Sequence, residues 1–521
     1  MKFKSYNTVF INSVVIETTN CYNRTVHFYA QTSTYLQEYT SLFDIHRGTI
    51  KMIYTDTRDK SVKVDFKTAV LGGMNPKTGG LYIPTFFPKL DRSILTKTSA
   101  PSFRDIAFEI ARLYTDGEIP ETELNMIIAD CYPFNAQVVP IDPVTYVLEL
   151  FHGPTCAFKD FGARFMARMM SYFNRNEKEQ LHILVATSGD TGSAVGSAFH
   201  KVPGLDVTIL YPEGKISPLQ EKQLSTFTDN VRALRVKGTF DDCQKLVKTA
   251  FTDAALRSKL RLSSANSINI SRLLPQSFYY MYASLVVANR APHDSSIEHP
   301  SIIVSVPSGN FGNLTSGLIA REMGAPIKGF IAATNSNKTI PDWIATSSYE
   351  PRASVKTLSN AMDVGAPSNY ERIQAMYSLE EVRKLFASYW LDDKGTSDAI
   401  HECKQKTGYV IDPHGAIGWK AWDDIRRNAM LNLVSGFPNE YTNPGLTPNI
   451  PDWANDVVDK KAVGIVLETA HPAKFGEIVK KATGSDPLLP DRLERVLALP
   501  DRAIPMENDY DMFKDWLLSN L

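Results

Sequence analysis

Apolar positions along this chain change their spacing near residue 146. Before it, from Met52 to about Pro143, the pattern is mixed and mainly helical. Phe103 to Tyr114 repeats its apolar residues at helical spacing, and Pro120 followed by Glu121 opens a second helix. The turn-rich N-P-K-T-G-G at 75–80 lies upstream of both. From Tyr146 onward, short apolar runs, Gly-rich loops and helical stretches alternate. Ile183 to Ala186, Val207 to Tyr211, Ile302 to Val306, Ile327 to Ala332 and Val463 to Leu467 predict strands. Several are followed at once by small residues and then a helical period. That alternation predicts an open, mostly parallel α/β sheet with ligands beyond the carboxyl ends of its strands. Residues 1 to about 50 stand apart, rich in Thr, Ser, Tyr and Asn and without a sustained helical or strand period. Ser435 to Asp452 is rich in Pro, Asn and Gly and reads as a long surface loop or insertion.

Composition narrows the function classes. A chain of 521 residues is too long for one simple core, so about two or three domains are expected. A formal net charge of -1 offers no basic stripe for a nucleic-acid partner. No apolar run approaches the roughly 20 residues that span a bilayer. The five cysteines, at 21, 131, 156, 243 and 403, are odd in number and widely separated, with no C-x-x-C. They argue against a disulfide framework and a zinc site and fit a reducing cytoplasm.

The candidate chemistry centres on F-H-G-P-T-C-A-F-K-D, residues 151–160. Gly153 and Pro154 mark a turn, and Phe161, Phe165 and Met169 then recur every four residues, as on the buried stripe of a helix. Lys159 therefore sits near a helix start among apolar neighbours. Such a lysine is either a snorkelling residue whose stem covers apolar surface, or an amine of lowered pKa able to form a Schiff base with an aldehyde cofactor. Two Gly-rich loops follow strands and open helices: A-T-S-G-D-T-G-S-A-V-G at 186–196 and P-S-G-N-F-G-N-L-T-S-G at 307–317. Both expose backbone N–H groups at a helix N-terminus, as a carboxylate or phosphate cradle does. The first lacks the G-K-[ST] ending of a Walker loop and the glycine spacing of a dinucleotide fingerprint. In L-E-T-A-H-P-A-K-F, residues 467–475, Thr469 stands at a strand's carboxyl end, facing the crevice or capping a turn. His414, in D-P-H-G-A-I-G at 412–418, reads as structural rather than as a base.

Taken together these segments resemble the threonine synthase family, pyridoxal-phosphate enzymes of fold type II, the tryptophan-synthase-β-like group. The resemblance runs from about Met52 to near the C-terminus. It adds I-Y-T-D-T-R at 53–58, G-G-L-Y-I-P at 79–84, S-A-N-S-I-N-I-S-R at 264–272 and N-A-M-D-V-G at 360–365 to the segments above. Asp56 stands where the family usually has serine. The fold this implies is α/β, two open mostly parallel sheets flanked by helices, with an N-terminal mainly helical domain. The expected divisions are an N-terminal extension over 1–51, an N-terminal domain over 52–145, a small α/β domain over 181–274, and a large cofactor-binding domain from 146–180 and 275–521. The resemblance implies that Lys159 carries pyridoxal 5'-phosphate as a Schiff base. It also implies that Gly309, Asn310, Phe311, Gly312 and Asn313 hold the cofactor phosphate, that Thr469 meets the pyridine nitrogen, and that Thr187, Ser188, Gly189, Asp190 and Thr191 take the amino acid's carboxylate. The family's reaction converts O-phospho-L-homoserine and water to L-threonine and phosphate. Substrate phosphate needs cationic and hydroxyl partners, for which Arg272 with Ser267 and Asn269 is the candidate cluster.

The expected partner is thus a small molecule, in a cytoplasmic monomer or homodimer with neither nucleic acid nor membrane. Three alternatives stay open on sequence: a related phospho-lyase releasing 2-oxobutyrate, a serine or threonine dehydratase of the same fold, and a non-catalytic pyridoxal-phosphate-binding protein. Met52 begins the family-like region and is expected to be the natural start, or residues 1–51 to be dispensable.

Overall fold

A computed structural model describes residues 51–91, 94, 101–290, 300–435 and 451–521, together with the strand backbones 7–11, 14–18, 27–29, 43–44 and 49–50. Most of the loop expected at 435–452 lies outside the described residues. The chain forms two compact units, Met1–Met52 and Ile53–Leu521. The first holds a three-stranded antiparallel sheet of Asn7–Ile11, Val14–Thr18 and His27–Tyr29. Strands were not expected there. The apolar runs Val9–Ile11 and Val14–Ile16 are too short for an alternation to be read from them.

The second unit opens with Tyr54–Asp56 paired antiparallel to Tyr82–Pro84, then the helices Phe66–Gly72, Phe103–Thr115 and Glu121–Cys131. Ser102 and Asp105 close a capping box at the start of Phe103–Thr115, which buries Phe103, Ile106, Ile110 and Tyr114 on one face. The rest is built on two sheets. The smaller has the order Arg261–Ser264, Leu181–Ala186, Leu205–Pro212, Val231–Val236, Ile504–Met506, all parallel. The larger runs Phe386–Trp390, Ile327–Thr334, Ser301–Pro307, Ala462–Glu468, Thr145–Glu149, again parallel, with Gln137–Asp142 antiparallel at its edge.

This is the expected α/β architecture, and all five sequence-predicted strands lie in it. Two boundaries differ from expectation. The chain's last strand, Ile504–Met506, joins the smaller sheet beside Val231–Val236 rather than staying with the larger one. Gln137–Asp142, read as part of the helical N-terminal domain, edges the larger sheet by pairing with Thr145–Glu149. Both are short or partly exposed, and neither shows a run of buried residues.

The topology sets the site. Helix Lys159–Asn174 buries Phe161, Phe165 and Met169 along one stripe. Its start is tied to the carboxyl end of strand Ala462–Glu468: the Phe158 N–H donates to the Thr469 carbonyl at 2.8 Å, and Ala157 bridges Ala470. Strand Leu181–Ala186 leads into helix Asp190–Phe199, and Ser301–Pro307 into Gly312–Glu322. Among the described residues no helix is long and apolar enough to cross a membrane.

Candidate active site

Lys159 is the first residue of its helix, and only 14% of its side chain is exposed. Its amine lies 4.9 Å from the centre of the Phe158 ring and 3.9 Å from Asp190 Oδ2. Burial, which disfavours an ammonium, drives its pKa down to about 8. Asp190 and Asp412 pull it up, while the positive Arg272 and Lys474 push it further down. An amine so placed is available as a nucleophile near neutral pH.

Asp190 opens helix Asp190–Phe199 after Gly189, whose φ of 130° only glycine adopts readily. Its Oδ1 accepts from Lys474 Nζ at 2.7 Å and from Gln220 Nε2 at 3.1 Å. Burial alone would raise this carboxyl, but Lys474 and Lys159 win and hold it well below the usual carboxylate range. The Asp190 side chain is thus engaged by Lys474, Gln220 and Lys159, which leaves the backbone N–H groups of its loop as the groups that suit a carboxylate. Thr187 is likewise spent inside the loop. Its Oγ1 accepts the N–H groups of Gly189 and Gly192 at 3.0 and 2.8 Å. Ser188 and Thr191 are half-buried, and they flank Gly189.

Asp160, next to the lysine, is a structural carboxyl. It accepts from the Thr155 N–H and Oγ, each at 2.8 Å, and burial pushes its pKa up to about 6. It ties down the 153–156 turn that precedes Lys159.

The second loop is held as a preformed cradle. Phe311 takes a left-handed φ of 59° at the N-cap of helix Gly312–Glu322. A Cβ at Gly309 would stand 2.7 Å from Met362 Cα, so the loop packs directly on the 360–365 segment. Asn310 Oδ1 accepts from the Ser368 N–H at 2.6 Å and Oγ at 2.9 Å, while its Nδ2 donates to Ser267 Oγ at 2.5 Å. Asn313 Oδ1 accepts from Tyr279 and Tyr280 hydroxyls at 2.6 and 2.8 Å. Its Nδ2 is buried without a partner. Gly312 leaves a Cβ 3.2 Å from Asn369 Nδ2, which donates to the Asn310 carbonyl. The first N–H groups of the following helix have no intrahelical partner by geometry, so the cradle presents donors.

Thr469 follows strand Ala462–Glu468, with only 6% of its surface exposed. Behind it lie two fully buried carboxyls, Glu468 and Asp412. Glu468 Oε1 accepts the Asp412 N–H at 2.8 Å, and burial beside Asp412 raises the Glu468 pKa far above normal. His414 is buried, with Nε2 accepting the Ala361 N–H at 3.2 Å and Nδ1 3.1 Å from Asp412 Oδ1, a structural placement.

The remaining sequence candidates do not form one open anion pocket. Asn269 is fully buried, its Oδ1 accepting from the Ser271 N–H and Oγ and its Nδ2 donating to the Val70 carbonyl. It caps helix Ile270–Leu273 rather than facing a ligand. Ser267 is bound to Asn310, and Arg272 is 3% exposed, its Nη1 donating to the Ala265 carbonyl at 2.5 Å. Burial lowers the Arg272 pKa to about 10, opposed by Asp160. Asp56 accepts from the Asn75 and Thr78 side chains and pins the 75–80 turn.

Sequence reasoning missed Lys474, Asn369 and the Tyr279–Tyr280 pair. Lys474 lay inside the quoted L-E-T-A-H-P-A-K-F segment, and its lysine between alanine and phenylalanine was the available signal.

Comparison with known proteins supplies the family. A family model described as "Threonine synthase N terminus" matches residues 53–132, "Pyridoxal-phosphate dependent enzyme" matches 133–432, and "Threonine synthase, C-terminal" matches 452–517. A threonine synthase of Haemophilus influenzae is 38% identical over 460 residues, covering 88% of this chain and 97% of that one. The crystal structure of threonine synthase from Escherichia coli superposes with a TM-score of 0.75 at 36% identity, over 90% of this chain and 100% of that one. A threonine synthase structure from Brucella melitensis, described as PLP bound, gives 0.77 at 32% identity over 90% and 99%.

Proposed function

Since this chain belongs to the threonine synthase family, we propose that it converts O-phospho-L-homoserine and water to L-threonine and phosphate, with pyridoxal phosphate as its cofactor. The observation that carries the reading is the Lys159 amine, buried at a helix start and lowered to about 8, in a chain whose 309–313 loop holds the unpartnered donor Asn313 Nδ2.

The residues fit the cofactor. The unpartnered Asn313 Nδ2 and the start of helix Gly312–Glu322 are donors that suit a phosphate. A Cβ at Gly309 would collide with the Met362 backbone, and one at Gly312 would crowd the Asn369 side chain, so the loop packs closely on its neighbours. Lys159 would hold the aldehyde carbon, the 309–313 loop the phosphate, and Thr469 the ring nitrogen. Pyridoxal phosphate supplies an electron sink when bound. The protein's own part is position and proton transfer. With a pKa near 8, the Lys159 amine both takes and returns a proton at working pH, which the successive carbon acid steps of a γ-elimination and β-addition require. Ser188, Gly189 and Thr191 share the loop of Asp190, whose Oδ2 is 3.9 Å from the amine, and are the groups proposed for the substrate carboxylate. Arg272 contributes positive charge near the amine.

Incubating the purified protein with O-phospho-L-homoserine and identifying the product tests this. Equal release of L-threonine and inorganic phosphate is expected. Release of 2-oxobutyrate would make it a phospho-lyase instead, and turnover of unphosphorylated threonine or serine a dehydratase.

A further inference from the structure

Lys474 is the most deeply buried cation of the site, with none of its side chain exposed. It sits in the short turn Pro472–Phe475 after Thr469. Its Nζ lies 2.7 Å from Asp190 Oδ1 and donates to the Thr155 carbonyl at 3.1 Å. Gln223 Nε2 donates to the same carbonyl at 3.0 Å, and Gln220 Nε2 to the same carboxylate oxygen at 3.1 Å. On the other side, Asp190 Oδ2 faces the Lys159 amine at 3.9 Å. The three groups form a row: ammonium, carboxylate, amine. A buried lysine is retained only where a partner compensates its desolvation, so this one has a specific task.

We propose that Lys474 is a positioning residue of this site: its ammonium, pinned between the Asp190 carboxylate and the Thr155 carbonyl, claims the Asp190 charge and leaves the Lys159 amine free to act as a nucleophile. The inference rests on the functional reading above and deepens it. Without Lys474 the buried Asp190 charge would have one cationic partner left, and Lys159 would be held as its ammonium. The same contacts tie together the 151–160 turn, the 186–196 loop and the 467–475 segment, so the row also fixes the amine's place.

Charged groups act on this row from several packed elements. Arg272, from helix Ile270–Leu273, and Asp412, before helix Pro413–Ser435, act on the amine together with Asp190 and Lys474. Asp160 and Cys156 face Lys474 from the 151–160 turn, with Arg164 behind Asp160 and Arg492 on the Cys156 sulfur. None of these is placed between Lys474 and Asp190, whose atoms are in direct contact.

The test reads cofactor loading rather than turnover. The cofactor-free protein is mixed with pyridoxal phosphate at a series of pH values, and the rate of absorbance change is followed. Lys474→Met should shift the loading profile upward by about one pH unit or more, since Asp190 then stabilises the Lys159 ammonium. Asp190→Asn should shift it downward, because the carboxylate that favours the Lys159 ammonium is then gone. The double variant should return towards the parent profile. Coincident profiles for Lys474→Met and the parent, or an upward shift in Asp190→Asn, would overturn the inference. If Lys474→Met does not fold by circular dichroism, Lys474→Gln, which keeps a donor for the Thr155 carbonyl without the charge, is read in its place and must show the same upward shift. Failure of the underlying reading looks different: in the parent protein, borohydride would then fix the cofactor on a residue other than Lys159.

Discussion

On the proposed reading Thr469 would offer the cofactor's ring nitrogen a hydroxyl rather than a carboxylate, and a hydroxyl cannot stabilise a full positive charge there. Glu468 is adjacent in sequence, but burial beside Asp412 raises its pKa, and its Oε1 accepts from the Asp412 backbone. Thr469→Val should therefore keep the fold while weakening cofactor affinity. One neutral hydrogen bond is worth about 0.5–1.5 kcal/mol, roughly two- to tenfold in affinity, measurable by equilibrium dialysis. Unchanged affinity and kinetics would remove Thr469 from the site. The Lys159 amine sets a pH dependence with a definite sign. Its pKa is depressed to about 8, so below that value it is protonated and cannot attack an aldehyde. Loading of the cofactor-free protein should accelerate as pH rises through about 8 and level off above it. At this scale Lys159 was legible because its apolar flanks are contiguous in sequence. The pairing of Asp190 with Lys474 was not, since only the fold brings the 186–196 and 467–475 segments together.

Among the elements, the loop 307–317 shows why glycine was a readable signal. At Gly309 the constraint is backbone against backbone, the Met362 Cα that a new Cβ would meet at 2.7 Å. Gly309→Ala should force the loop and the 360–365 segment apart. Overpacking of this kind costs about 1–3 kcal/mol, roughly five- to hundredfold in cofactor retention if the strain falls on the cradle. A fluorescence titration with pyridoxal phosphate would read the loss, and normal retention would show that the cradle tolerates the shift. The strands divide in a similar way. Ile183 to Ala186 and Val463 to Leu467 were legible because they lie in central strands that are wholly buried, leaving uninterrupted apolar runs. Val231–Val236 was not, because Arg232 and Arg235 interrupt it, and these pair with Asp206 and Glu221 from neighbouring elements. Arg261–Ser264 is a short edge strand with a single apolar residue.

At the scale of the whole molecule, the chain leaves the smaller sheet at residue 264 and returns to it only at Ile504–Met506. No local pattern announces such a return, which is why the domain boundaries were the least legible part of the fold. The compact unit Ile53–Leu521 contains every residue assigned to the site. A protein beginning at Met52 should accordingly fold, load pyridoxal phosphate and turn over as the full chain does, a comparison made by thermal melting and steady-state kinetics. Loss of activity on removing residues 1–51 would show that the extension supports the enzyme. The central claim is narrower: one amine, that of Lys159, carries the cofactor. Borohydride reduction of the cofactor-loaded protein, followed by proteolysis and mass spectrometry, tests it most directly. The expected result is a single reduced pyridoxyl-phosphate adduct on Lys159. An adduct on another lysine, Lys474 included, would contradict it.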